Sequence, residues 1–250
     1  MSRCPRAHVD AAALDGVHLG TLVLPAGAVH RLTRVLRLVD GDVVELFDGS
    51  GRVARGRLAG VALRDVHVEL AMDPLPPMIV AQAVVETDKL ELVVKKGTEL
   101  GASEILLFDA ARGQIHLSGD RAGKRVARLA RIAEDAARQA GRARVPLLSG
   151  PMDVAALAVR AAALVASGGL AAVGALEASV PLSEALASCA GLKTAGALNV
   201  IGPEGGMEPQ EIALLVQAGA VPVRLGVHVL RTETAGLAAL AAIQGYLGHL

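Results

Sequence analysis

An arginine, a glutamate and two threonines stand within four residues, Arg231-Thr232-Glu233-Thr234, just after the apolar pair Val229-Leu230 and just before a nearly all-apolar segment. A cation, a carboxylate and hydroxyls so close together could stabilise developing negative charge, take a proton and orient a polar ligand. Upstream, Asn199-Val200-Ile201 runs into Gly202-Pro203-Glu204-Gly205-Gly206. Three glycines within five residues let the backbone take positive φ and bring its N–H groups close to a small polar ligand. The same loop also reads as an ordinary strand-to-helix turn, with Pro209 at the helix start and Glu211 in its first turn.

Other chemistries fail on spacing. Gly119-Asp120-Arg121-Ala122-Gly123-Lys124-Arg125 is one residue short between its glycines for a P-loop and has no Ser or Thr after the lysine. No G-x-G-x-x-G follows the apolar run Met78 to Val85, where a dinucleotide-binding domain would carry it. Ser50 lies in G-S-G rather than a nucleophile elbow. The seven histidines are scattered without H-E-x-x-H spacing, so no metal site is expected. Cys4 and Cys189 lie far apart and outside any CxxC, which argues against a disulfide framework and suits a cytosolic protein. The start lacks a signal-peptide pattern, and the longest apolar stretch, residues 154–176, is broken by Arg160 and Gly168-Gly169, so a soluble chain is expected.

The elements that must position these loops follow from pattern. With 250 residues and 52% apolar content, the chain can bury one large core or two smaller ones. Residues 19–72 read as short strands, Gly20–Leu24, Val43–Phe47, Val53–Leu58 and Val66–Met72, with Asp48-Gly49-Ser50-Gly51 as a hairpin turn. A helix is expected over His30–Leu38, with Leu32, Val35 and Leu36 on its apolar face, which suggests a small β-barrel with one helix. Asp73-Pro74-Leu75-Pro76-Pro77 interrupts helix and sheet bonding alike, predicting domains at 1–72 and 78–250 joined by a linker at 73–77. Beyond it, strands and helices alternate: Met78–Val85, a helix with capping-box residues Asp88 and Glu91 and buried Leu90, Val93, Val94 and Leu100, a strand at Glu104–Phe108, helices over 120–140 and from about Asp153, and a strand at Leu170–Leu176. That order predicts an α/β domain with a mostly parallel sheet. The last segment, Thr234–Leu247, is apolar on nearly every face and must be buried all round, within one subunit or at a dimer seam.

The formal charge is zero, but residues 121–144 hold eight Lys or Arg against two acids, while residues 73–120 hold four against eight. The basic stretch reads either as an RNA-binding stripe or as a solvated helix face, since Arg131 with Asp135 and Glu134 with Arg138 have helical pair spacing.

Val35-Leu36-Arg37, Gly41-Asp42, Phe47-Asp48-Gly49, Lys96 with Thr98-Glu99-Leu100-Gly101, Gln139 with Gly141-Arg142, and Val145-Pro146 precede Ile201-Gly202-Pro203-Glu204-Gly205-Gly206, Glu211, Leu225-Gly226 and Leu230-Arg231-Thr232-Glu233-Thr234-Ala235. Together they make nearly the whole chain resemble the ribosomal RNA small subunit methyltransferase E family of the SPOUT superfamily. The resemblance implies a PUA-like RNA-binding β-barrel, a methyltransferase domain with a trefoil knot, a homodimer, and S-adenosylmethionine-dependent methylation of uridine N3 in 16S ribosomal RNA or the assembled small subunit. It implies cofactor contacts from Leu176, Glu177, Ile201, Gly202, Pro203, Gly205, Gly206, Leu225, Gly226, Val229, Leu230, Thr232 and Thr234. Arg231 would stabilise charge on the uracil, and Glu233 and Glu204 would accept or orient its proton. Arg3, Arg6, Arg34, Arg37, Arg125, Arg128, Arg131 and Arg142 would contact RNA. His228 stands where the family commonly has Arg, and Arg138 where Glu is frequent. With 1% aromatic residues, stacking cannot dominate recognition, so arginine contacts must carry more of it. A different RNA target, a ribose hydroxyl as acceptor, or a non-catalytic assembly factor are the alternatives.

Overall fold

The structure, a computed structural model, describes residues 4–116 and 119–250. The chain forms two compact units, Met1–Pro74 with Ala137–Val145, and Leu75–Ala136 with Pro146–Leu250.

In the first unit, β1 (Arg6–His8), α1 (Ala11–Asp15), β2 (Leu22–Val23), α2 (Ala26–His30), β3 (Val43–Phe47), β4 (Arg52–Ala59) and β5 (Ala62–Leu70) build a five-stranded sheet in the order β1-β3-β4-β5-β2. Only β1 pairs in parallel, with β3. The expected hairpin turn joins β3 to β4: Asp48 accepts from the Ser50 and Arg52 N–H groups and from both side chains. The helix expected over 30–38 forms differently. It begins at Ala26 and widens to a π turn over Arg31–Val35, with the Leu36 N–H reaching back five residues to the Arg31 carbonyl. Widening rotates Val35 and Leu36 outward, so of the three expected core residues only Leu32 is buried.

In the second unit, β6 (Met78–Ala83), α3 (Thr87–Glu99), β7 (Glu104–Phe108), α4 (Gly119–Ala140, whose last turn belongs to the first unit), β8 (Leu147–Met152), α5 (Val154–Ala166), β9 (Leu170–Gly174), α6 (Leu182–Ser188), α7 (Leu192–Ala195), β10 (Ala197–Ile201), α8 (Pro209–Gln217), β11 (Val221–Val223) and α9 (Thr232–Leu247) alternate. All pairs of the six-stranded sheet, β11-β9-β10-β6-β7-β8, are parallel. Such strands are covered on both faces, and β7 and β10 are buried at every residue. The Asp88/Glu91 capping box does not form. The helix starts at Thr87, which puts Asp88 inside the first turn, and Glu91 pairs with Arg128 at 2.7 Å instead.

Within one chain, helix α9 is covered on one side only, so burial all round would need the dimer-seam alternative. Ala235, Gly236, Ala239, Leu240 and Ile243 face the interior, but Ala242 and Gly245 are exposed, and Tyr246 keeps 47% of its surface. The covered side lies close to the sheet at Gly236, where a Cβ would come within 3.0 Å of Val80 Cγ1. Among the described residues no helix is long and apolar enough to cross a membrane.

Candidate functional site

The carboxyl ends of β9, β10 and β11 open into loops at 174–176, 201–207 and 223–232, and between them lies a cavity of about 560 Å³. In open α/β sheets this end of the strands is where ligands bind, and the volume is that of a small-molecule site. Gly174 is part of the wall, where an added Cβ would sit in van der Waals contact with Leu225 at 3.5 Å and Ile201 at 3.6 Å.

The glycine loop is held from several directions. Gly206 has φ +71°, and its N–H closes a turn on the Pro203 carbonyl at 2.9 Å. Glu211 and Glu208 form a capping box around Pro209 at the start of α8. The same Glu211 carboxylate accepts from the Ala111 N–H at 2.8 Å, joining the loop after β7 to this helix start. From that loop, Arg112 reaches Glu208 at 2.9 Å and the Gly205 carbonyl at 3.2 Å. On the cavity side, Lys89 of α3 holds Glu204 at 2.7 Å and Glu86 at 3.1 Å. Burial opposes ionisation of Glu204, but the Lys89 ammonium and its own backbone N–H outweigh it and leave the carboxyl below the usual range.

The loop at 225–230 is different. Its residues make no hydrogen bond among the described residues, and Val227 and Val229 are 88% and 74% exposed at the cavity mouth, beside Leu176 at 73%. Order returns at Arg231, whose carbonyl accepts from the Thr234 and Ala235 N–H groups as α9 begins. The Arg231 side chain is exposed on the cavity wall and makes no ion pair among the described residues. Thr232 is buried and donates to the Gly202 carbonyl at 2.7 Å, tying the two loops together. Glu233 is 9% exposed, borders the cavity, and has an Oε2 atom without a hydrogen-bond partner. A buried carboxylate oxygen without a partner is a candidate acceptor for a proton or a hydrogen bond.

Of the expected cofactor residues, Leu176, Ile201, Gly202, Pro203, Gly206, Leu225, Gly226, Val229, Leu230 and Thr232 line this cavity, as do Arg231, Glu233 and Glu204. Glu177 and Thr234 are exposed outside its lining, and Gly205 faces Arg112, whose Cβ lies 3.4 Å from where a Gly205 Cβ would be. Lys89, Gly174, Met207 and Arg224 line the cavity without having been expected there. Among the described residues no group of His, Cys, Asp and Glu side chains could hold a metal ion.

The expected RNA-contacting arginines divide sharply. Arg3 lies outside the described residues. Arg34 and Arg37 are exposed, Arg37 at a φ of 55°. Arg6 is half-buried, ion-paired with Glu45 and stacked 4.7 Å over Phe47, and so already engaged within the fold. Arg142 pairs with Asp73 at 3.2 Å with a side chain only 13% exposed. On α4, Arg125 is half-buried and donates to the Val85 carbonyl, and burial lowers its pKa. Arg128 is exposed but paired with Glu91, while Arg121, Lys124 and Arg131 complete an exposed face.

The chain is similar to known proteins over most of its length. A family model described as "RNA methyltransferase domain" matches residues 72–244, and one described as "RNA methyltransferase PUA domain" matches residues 25–71. A ribosomal RNA small subunit methyltransferase E of Mycobacterium bovis is 37% identical over 215 residues, 84% of this chain and 80% of that one. The protein of the same name in Bacillus subtilis is 32% identical over 239 residues, 89% of each chain. Among solved structures, a ribosomal RNA small subunit methyltransferase E from Neisseria gonorrhoeae bound to S-adenosylmethionine has a TM-score of 0.78 and 27% identity, with 98% of each chain covered.

Proposed function

The chain belongs to the ribosomal RNA small subunit methyltransferase E family, and on that premise we propose that it transfers the methyl group of S-adenosylmethionine to N3 of a uridine in 16S ribosomal RNA. The observation that carries this reading is the cavity between the glycine loop and the Leu225–Thr232 loop, at the carboxyl ends of β9, β10 and β11. It has the size for one cofactor molecule, and the Neisseria gonorrhoeae relative is bound to S-adenosylmethionine. Glu177, Gly205 and Thr234 lie outside this lining, and the other expected cofactor residues make it.

When bound, the cofactor supplies an electrophilic methyl group. The protein then has to align uracil N3 with it and remove the imide proton. Arg231, free of an ion pair among the described residues, offsets the negative charge that develops on the uracil carbonyls. Glu233, which borders the cavity and has a buried oxygen without a hydrogen-bond partner among the described residues, takes the proton. Lys89 stabilises the ionised form of Glu204, which serves to orient the loop.

RNA is gripped through Arg34 and Arg37 in the 1–72 domain and through Arg121, Lys124, Arg128 and Arg131 in the 78–250 domain. The family's trefoil knot belongs to that second domain, and the exposed side of α9, with Ala242 and Tyr246, forms the seam of a homodimer. Transfer of labelled methyl to naked 16S RNA and to assembled small subunits, followed by nucleoside analysis, tests the reading: 3-methyluridine is expected, and a 2′-O-methylated or unmodified product contradicts it. Alanine at Arg121 or Arg131 should lower the salt dependence of RNA affinity by roughly one unit of slope each.

A further inference from the structure

We propose that Gln82 is a positioning residue of this site, setting the separation of the two cofactor loops through the hydroxyl of Thr232. The inference rests on the methyltransferase reading and extends it to a side chain outside the cavity lining.

Gln82 lies on β6, is fully buried, and sits opposite Ile201 of β10 in the sheet register. Its Nε2 lies 2.8 Å from Thr232 Oγ1, and that oxygen lies 2.7 Å from the Gly202 carbonyl. The direction of this chain of bonds is forced. A carbonyl only accepts, so the single Thr232 proton goes to Gly202, and Thr232 presents only lone pairs to Gln82. Gln82 must therefore offer its NH₂, not its oxygen. The rest of its amide is poorly served: Nε2 has only a 3.4 Å approach to the Ala83 carbonyl, and Oε1 has no partner. A buried amide with an orphaned oxygen is costly, so Gln82 is an expensive way to fill core space. What it gains is a fixed hydroxyl.

The tie joins three elements at one point. Gly202 opens the glycine loop, Thr232 opens α9, and Gln82 stands on β6, the sheet neighbour of β10. Gly236 makes the approach possible, since a Cβ there would lie 3.0 Å from Val80 Cγ1 and 3.9 Å from Gln82 Oε1. The Leu225–Leu230 segment has no hydrogen bond among the described residues, so the Thr232 bond is where that wall of the cavity is set against the other.

The test is calorimetric titration with S-adenosylhomocysteine of the parent protein and of Gln82→Met, Thr232→Val, Thr232→Ser and the Gln82→Met/Thr232→Val double variant, alongside steady-state kinetics and thermal melting. Gln82→Met and Thr232→Val are each expected to weaken cofactor binding about tenfold. The double variant should be no weaker than Thr232→Val alone, because both changes cut the same chain of bonds. Thr232→Ser restores parent affinity. In Gln82→Met the cofactor KM rises while kcat at saturation and the melting temperature stay at parent values, a split that a purely structural glutamine would not produce. Dissociation constants within about twofold of the parent, or losses that multiply in the double variant, overturn the proposal. Heat with the parent but no change in the variants contradicts the role of Gln82 alone. No heat with the parent contradicts the methyltransferase reading and this inference together.

Discussion

The two loops that make the cavity are held by opposite means. The glycine loop at 202–206 is braced by Arg112 on the Gly205 carbonyl, by Lys89 on Glu204, and by the Glu208/Glu211 capping box that follows it. The loop at 225–230 has no hydrogen bond among the described residues and exposes Val227 and Val229. A preformed wall costs a ligand little entropy on binding, whereas an open one must be ordered by what it meets. The difference assigns binding chiefly to the first loop. Closure and chemistry fall to the second, which ends at the unpaired Arg231.

The largest effect expected of this division is on turnover. Arg231→Ala should lower kcat by about 100-fold or more while leaving cofactor affinity nearly unchanged. If single-turnover kinetics and calorimetry show both falling together, the division of labour between the loops breaks. Next, amides of residues 225–230 should exchange rapidly in the free protein and slow about tenfold with S-adenosylhomocysteine, while those of 202–206 change little. Equal protection of both loops would remove the contrast between a preformed and an open wall. Glu211→Ala leaves the Ala111 and Glu208 N–H groups without their acceptor, and in a half-exposed setting should cost about 1 kcal/mol in denaturant unfolding.

The smallest effect is a pH dependence. The Glu204 carboxyl is held below its ordinary value of 4.5, so its contribution is present above that pH and fades as the pH falls through the depressed folded value. Its side chain is 45% exposed, so solvent screening limits the effect to less than about 1 kcal/mol. Cofactor affinity should thus be flat above about pH 5, as far as Glu204 decides it, and weaken below pH 4.5. Lys89→Met should move the onset of that weakening to higher pH.

Both loops were legible in the sequence because their chemistry is local: glycines in a row, and Arg, Thr and Glu within four residues. What braces them was not. Lys89, Arg112 and Gln82 reach Glu204, Glu208 and Thr232 across 115, 96 and 150 residues of chain, and nothing in their own neighbourhoods marks them. The parallel sheet followed from the alternation of apolar runs, yet the short strands at Arg6–His8, Leu147–Met152 and Val221–Val223 went unread. They are set by pairing with distant strands rather than by their own pattern. The same limit applies to charge. Arg6 and Arg131 are the same residue type, and only the fold spends one on Glu45 and Phe47 and leaves the other exposed on a helix face. Nor did any composition shift at residues 137–145 indicate that this stretch joins the N-terminal unit, where Ala137 packs with Phe47 and Val53.

The account turns on a methyl donor occupying the space between the braced and the open loop, and a side chain added at Gly174 would enter that space beside Leu225 and Ile201. Calorimetric titration of S-adenosylmethionine into the parent protein and into Gly174→Leu tests this most directly. Saturable binding of one molecule per chain to the parent and its loss in the variant, with melting behaviour retained, is the predicted result. An unresponsive parent, or a variant that binds as the parent does, would contradict it.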